Sequence, residues 1–532
     1  MVTAYPVLSI VPPLIAITLA ILTRKVLLSL GLGIVAAAAL VADFGIGGTL
    51  LNIWNAFAGN FYDDEGINTG SIFIMLFLVL LGIITALILM SGGSAAFSTW
   101  AAKKIRGRRG AQGLALLLGI VIFIDDYFNA LAVGQIAKPV TDKYRVSRAK
   151  LAYIIDSTSA PVAVLAPFSS WGASIIGLLA PVVVATAYTG SPMQAFLGAA
   201  AANYYAIAAV LLVLIVVVFH TNIGPMRREE ERAIKLNQTF SAEDEIPGEL
   251  SEDLPVHDPG KMRAMIIPFV VLVVGVVGSM MITGGLEGGS WTLLDMFANT
   301  KVNESLIIGG TLGFLAALFA YLGVTAKNPD FNTGVLVNGI ISGAKSMLPA
   351  IAILLLAWTL GSLISDLGTG NYLASLIESA NVGVNWLLPL MFLAAGFMAF
   401  ATGTSWGSFG LLIPIAGEIM ASLHAPEYLV PAIGAVLAGA VLGDHCSPIS
   451  DTTILSSTGA GCSHIVHVST QLPYAGVGGG AALIGYMLLA LTGSTLIGLA
   501  ATLVALLAFA FVANTFTTTL DESEKAEAAQ GI

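Results

Sequence analysis

Apolar runs of bilayer length dominate this chain. They cover Pro6 to Leu22, Val26 to Val41, Ser71 to Met90, Met193 to Phe219, Ala264 to Ile282, Leu306 to Leu322 and Leu348 to Ile364, and others follow up to Leu496 to Val512. A helix crosses the hydrocarbon core with about 20 apolar residues. In hydrocarbon the backbone must bond to itself, so runs of this length are helices. Only 10% of the 532 residues are charged, against roughly 25% in a soluble domain. The chain is predicted to be an all-α polytopic protein of the cytoplasmic membrane, in contact with membrane lipids. The first run lacks a basic stretch before it and reads as a retained span rather than a cleaved signal.

The same composition excludes several functions. The net charge is −10 and no basic face is present, so nucleic acid is not an expected partner. Two cysteines give no disulfide framework. Cys446, Cys462, His464 and His467 match no standard zinc spacing. No phosphate loop, nucleotide fingerprint or catalytic triad stands out. The chain is therefore not expected to be an enzyme or a nucleotide-driven pump, and no cofactor is expected beyond a transported ion.

An internal repeat organises the spans. Pro161 and the pair Ser169-Ser170 with Gly172 recur, at one common offset, as Pro448 and Ser456-Ser457 with Gly459. A carboxylate precedes each proline, Asp156 in one half and Asp444 in the other. Upstream, Asp125-Asp126 with Asn129 interrupts one apolar run, and Thr402 to Gly407 interrupts its counterpart. The division is a first transmembrane repeat over 1–219, a cytoplasmic polar linker over 220–263, a second repeat over 264–515 and a charged tail over 516–532.

Basic residues cluster at Arg24-Lys25, Lys103 to Arg109, Lys138 to Lys150 and Arg227 to Arg263, which keeps those loops cytoplasmic. The loop from Asp43 to Gly70 has no basic residue and carries Asp63, Asp64 and Glu65, which places it outside. These sides require Ala111 to Lys138 to enter and leave on one side, as a re-entrant hairpin. Leu151 to Tyr188 must then cross once, as a helix broken between Asp156 and Gly172. Five crossings and a hairpin per repeat force the second repeat to be inverted, a common transporter plan. The second half repeats the order, with a hairpin from Trp386 to Ile415 and a broken helix from Leu429 onward. One or two spans follow Tyr474, giving 10 or 11 crossings.

Broken helices free backbone groups where charged and hydroxyl side chains gather, and such intramembrane sites bind ions or substrates. Asp125, Asp126 and Asn129 read as cation or proton ligands, or as caps that close the hairpin. Asp156 and Ser157 read the same way at the second break, where Pro161 and Pro167 unwind the helix; Asp156 is also a suitable N-cap. Thr404 and Ser405 read as Na⁺ ligands through hydroxyls that cannot carry a proton, or as part of a small-residue packing turn. Asp444 and Asp451 flank the densest polar cluster and are the remaining candidate ion or proton ligands. His445 between them is a candidate gate or proton shuttle, since unperturbed histidine titrates near neutral pH, or else makes a structural hydrogen bond. Ser169, Ser170, Trp171, Trp406, Ser447 and Thr452 are candidate walls and hydroxyls for a small organic substrate.

The run Gly443-Asp444-His445-Cys446-Ser447-Pro448-Ile449-Ser450-Asp451-Thr452-Thr453 resembles the NhaC-type Na⁺/H⁺ antiporter family, within the wider ion-transporter superfamily. Thr404-Ser405-Trp406-Gly407, and Ala160-Pro161 through Ser169-Ser170-Trp171-Gly172, carry the same resemblance. It implies a secondary transporter with inverted repeats, paired hairpins and discontinuous helices, assembled as a homodimer. Two functions compete. Na⁺/H⁺ exchange needs carboxylates that bind either ion in turn. Na⁺- or H⁺-coupled transport of an organic acid or amino acid would use the hydroxyl clusters and tryptophans as a substrate pocket. A channel lined by the broken helices is the minor alternative.

Overall fold

Hydrocarbon offers the backbone no partner but itself, and the apolar runs fold accordingly. The computed structural model describes residues 5–241 and 254–516, except Arg24, Asp64, Glu65, Arg106, Ile124, Phe168, Ala187, Ala380 and Asn381. Part of the acidic loop, the middle of the linker and the tail beyond 516 therefore lie outside the described residues.

The first half opens with α1 (Val11–Thr23) and α2 (Val26–Val41). The loop expected between Asp43 and Gly70 carries a further helix, α3 (Ile46–Ala58), and a small hairpin of β1 (Tyr62–Asp63) and β2 (Gly66–Ile67) with Tyr62 opposite Ile67. Then come α4 (Thr69–Met90) and α5 (Gly93–Lys104). The first helical hairpin is α6 (Gly107–Val121) and α7 (Asp126–Lys143). The broken helix follows as α8 (Arg148–Asp156), a short α9 (Ala160–Ala163) and α10 (Ser170–Ala185). The run from Met193 to Phe219, expected as one span, is two helices, α11 (Pro192–Ala201) and α12 (Tyr204–Phe219). Asn203 divides them: its buried side chain accepts the Ala206 N–H at 3.0 Å and starts a new helix.

The linker begins with α13 (Gly224–Lys235). Its Glu230 is buried and accepts from the Arg108 guanidinium and, at 2.8 Å, from the Ser147 N–H at the start of α8. The second half comprises α14 (Arg263–Gly288), α15 (Leu293–Ala298), α16 (Val302–Thr325), α17 (Thr333–Ser346), α18 (Leu348–Asp366) and α19 (Thr369–Ser379). A second hairpin, α20 (Val384–Thr402) and α21 (Ser405–Ser422), is longer than expected. The second broken helix is α22 (Leu429–Cys446) and α23 (Asp451–Ala460), followed by α24 (His464–Thr492) and α25 (Thr495–Phe516). Nine helices among the described residues are long and apolar enough to cross a membrane, and the protein is an all-α, multi-pass membrane protein.

The two sequence halves share their cores. One apolar cluster joins Ala115 of α6, Leu131 of α7 and Ile154 of α8 to Ile454 and Leu455 of α23. The other joins Ile175 and Leu179 of α10 to Phe409, Leu412 and Ile413 of α21. The second arm of each hairpin thus packs on the later segment of the other half's broken helix. Glycine permits one of these crossings: a Cβ on Gly459 would strike the Ala130 carbonyl oxygen, and one on Gly134 would strike the Gly459 backbone. Gly459→Val is expected to cost about 1–3 kcal/mol through overpacking. Thermal unfolding of the purified protein in detergent reads this, and an unchanged melting temperature would argue against so close a crossing.

Candidate functional site

Four helices begin at the polar breaks, and each carries a side-chain cap. Asp125 accepts the Phe128 N–H at 3.0 Å and starts α7. Thr404 accepts the Trp406 N–H at 3.3 Å and starts α21. Ser169 accepts the Gly172 N–H at 2.8 Å and starts α10. Ser450 accepts the Thr453 N–H at 3.2 Å and starts α23. The hairpin caps have nearly the same backbone, φ −151° and ψ 141° at Asp125 and φ −154° and ψ 139° at Thr404. Asn129 closes the first hairpin by donating to the Gly119 and Ile122 carbonyls, at 2.6 and 2.7 Å.

These four N-termini meet in a ring. The Trp171 indole N–H donates to Asp126 Oδ1 at 2.8 Å, linking α10 to α7. Trp171 also packs on Trp406 and Phe409, with ring centroids 5.1 and 5.4 Å apart, linking α10 to α21. Asp444 links α21 to α23: it accepts from the Ser405 hydroxyl at 2.7 Å and from the Ser450 hydroxyl at 2.5 Å. The Tyr127 hydroxyl donates to Asp451 Oδ2 and closes the ring between α7 and α23. Asp444 and Asp451 do not share one helix face, because α22 ends at Cys446 and α23 restarts at Asp451; Ser450 brings them together instead.

Each helix start carries roughly +0.5 of an elementary charge, so four of them supply about +2. Asp125, Asp126, Asp444 and Asp451, if all ionised, bring four negative charges to the same place. The balance is negative and calls for cations or protons. Two acceptor oxygens there face no donor, Asp126 Oδ2 and Asn129 Oδ1, both buried. They belong to residues three apart on α7 and so share a face. On α21, Ser405 and Ser408 stand at the same spacing from their cap, and the buried Ser408 hydroxyl also lacks a partner. Beside the ring a cavity of about 400 Å³ reaches Thr402, Thr404 and Asp451, with Ser362, Ser365 and Asn371 along its wall. Among the described residues lining it, Asp451 is the one ionisable side chain.

Asp156 lies in a different environment. Its Oδ1 accepts from Ser456 at 3.1 Å, and its Oδ2 from Gln471 at 2.5 Å, His467 at 3.3 Å and Thr453 at 3.4 Å. Both oxygens are thus occupied by donors from α23 and α24. His445 donates from Nε2 to the Asp156 carbonyl at 3.0 Å, and its Nδ1 bonds the Tyr205 hydroxyl at 3.1 Å. Ser157 is buried at the end of α8. Ser447 donates to the Phe400 carbonyl at 2.8 Å, and Thr452 lies 3.0 Å from the Ser450 hydroxyl. Ser170 is the first residue of α10. The repeat match of Ser169-Ser170 with Ser456-Ser457 is not a match of backbone: the first pair starts a helix, the second lies inside α23.

Tyr127, Ser408, Ser450, His467 and Gln471 were not among the expected site residues. Ser450 was legible, since a cap followed by Asp451 repeats the pattern of Asp125 and Asp126. Ser408 was legible from its spacing to Thr404. His467 and Gln471, one turn apart in an apolar helix, carry no signal of what they face.

The family model described as the Na⁺/H⁺ antiporter family matches residues 162–491. An uncharacterized protein of Haemophilus influenzae is 45% identical over 94% of this chain and 94% of its own. The malate-2H⁺/Na⁺-lactate antiporter of Bacillus subtilis is 35% identical over 26% of this chain and 29% of its own. An uncharacterized Na⁺/H⁺ antiporter of Haemophilus influenzae is 35% identical over 35% of this chain and 38% of its own.

The shell around Asp156 makes a stability prediction. Asp156→Ala leaves several buried donors without an acceptor and is expected to cost about 3 kcal/mol. A detergent melt reads the loss; a variant as stable as the parent would show that this shell does not hold α8 to α24.

Proposed function

The chain belongs to the Na⁺/H⁺ antiporter family and is a secondary antiporter; on that premise we propose that it exchanges Na⁺ for H⁺ across the cytoplasmic membrane by alternating access. The observation that carries the proposal is the pair of buried, donor-free oxygens on α7, Asp126 Oδ2 and Asn129 Oδ1. A carboxylate and an amide oxygen are hard ligands suited to a hard cation. A protonated carboxyl cannot offer Na⁺ a charged ligand, so one ion must leave before the other binds. That competition couples the two fluxes. Asp451 completes the site from α23, and Asp125 and Thr404 hold the helix starts in place. Asp444 fixes Ser405 and Ser450, and Asp156 anchors the broken helices; both are supports here rather than ion carriers. His445, bonded to both Asp156 and Tyr205, joins that support. The paired hairpins and broken helices would act as inverted repeats rocking about the site.

Proteoliposomes with a trapped pH dye test this. An external Na⁺ pulse is expected to drive protons out, and Asp126→Asn should slow that exchange at least roughly tenfold, as expected for losing a charge-assisted contact. Undiminished exchange by Asp126→Asn would remove the proposed site.

A second reading is coupled transport of a small organic acid. The Bacillus subtilis relative is named for malate and lactate, and a cavity of about 400 Å³ has the size of a small-molecule pocket. Among the described residues lining it, the one charged side chain, Asp451, would repel a carboxylate, which favours the cation reading. Counterflow of labelled malate or lactate in the same vesicles would reverse that preference.

A further inference from the structure

Tyr127 stands between the two carboxylates of the proposed exchange site. It follows Asp126 on α7, and its hydroxyl donates across the ring to Asp451 Oδ2. The other Asp451 oxygen accepts the N–H of Thr452 at 2.8 Å. Asp451 is also the charged group at the cavity of about 400 Å³, so an ion arriving there meets a carboxylate already engaged on both oxygens. The Tyr127 side chain is half-buried. A hydroxyl proton and a metal cation repel each other at one oxygen. Cation binding at Oδ2 is therefore weakened while the tyrosine proton sits on the same oxygen.

Resting on the exchange reading, we propose that Tyr127 is a latch: a positioning residue that occupies Asp451 when no cation is bound and lowers the affinity of the site for Na⁺ by competing for it. The latch also ties α7 to α23, so its release loosens a contact between the two halves at the moment the ion arrives. Trp171 holds Asp126 Oδ1 and leaves Oδ2 open, so the two carboxylates differ in their readiness. Asp126 presents an oxygen that carries no hydrogen bond; Asp451 presents oxygens that each already accept one.

Binding of radiolabelled Na⁺ to the purified full-length protein in detergent tests this, independently of transport. Tyr127→Phe removes the donor and keeps the ring, and Tyr127→Met serves as a second donor-free variant should the first fail to fold. The half-saturating Na⁺ concentration is expected to fall about three- to tenfold in either variant, the range of one lost competing hydrogen bond. A tyrosine with only a structural role would leave binding unchanged or weaken it. Unchanged or weaker binding by the variants, beside saturable binding by the parent, overturns the latch alone. Absence of saturable Na⁺ binding by the parent overturns the exchange reading and the latch with it.

Discussion

Four helix starts facing one another deep in a protein of this kind repel, because each carries partial positive charge in a medium that screens little. The rest of the arrangement answers that constraint. Asp125 and Asp126 lie at the start of α7, Asp451 at the start of α23, and Asp444 between α21 and α23. Asp126, Asp444 and Asp451 are each held by a donor from another helix, so the groups that permit the helix starts to meet also fix their mutual positions. When ionised, the carboxylates outweigh the helix ends, and the remaining negative charge is what a transported cation or proton would neutralise.

Crossed packing supplies the mechanical side. Because α23 packs with α7, and α10 with α21, neither half completes its own core. A displacement of one hairpin is felt directly by the other half's broken helix. Asp156 sits at the end of α8, where exposed carbonyls leave partial negative charge, and α24 supplies it with Gln471 and His467. On the proposed exchange, that point stays fixed. On the proposed exchange, the ring of helix starts, with oxygens lacking donors, is the part that changes partners.

Much of the fold was legible in the sequence. The hairpin at Asp125, the break after Asp156, the hairpin at Thr404 and the restart at Asp451 all follow from polar residues that hydrocarbon would not tolerate on a continuous helix. The break at Asn203 was missed because one asparagine in a long apolar run gives a weak signal, and its capping role depends on local geometry. The candidate site was legible in residue type but not in partnership. Asp126 and Asp156 look alike in sequence, each an acid in an apolar segment. Tertiary contacts separate them, since three of the groups on Asp156 come from residues 300 or more positions away, and no local pattern encodes such contacts. Tyr127 was hidden for the same reason.

The central claim is that Na⁺ and protons compete for the same carboxylates. Adding Na⁺ to the purified protein in weakly buffered detergent solution, and following the pH, measures this directly. Ligand groups must lose their protons to hold a metal ion, so the account predicts prompt acidification, on the order of one proton released per ion bound, at a pH where the site is partly protonated. Saturable Na⁺ binding with no proton release at any pH would contradict it.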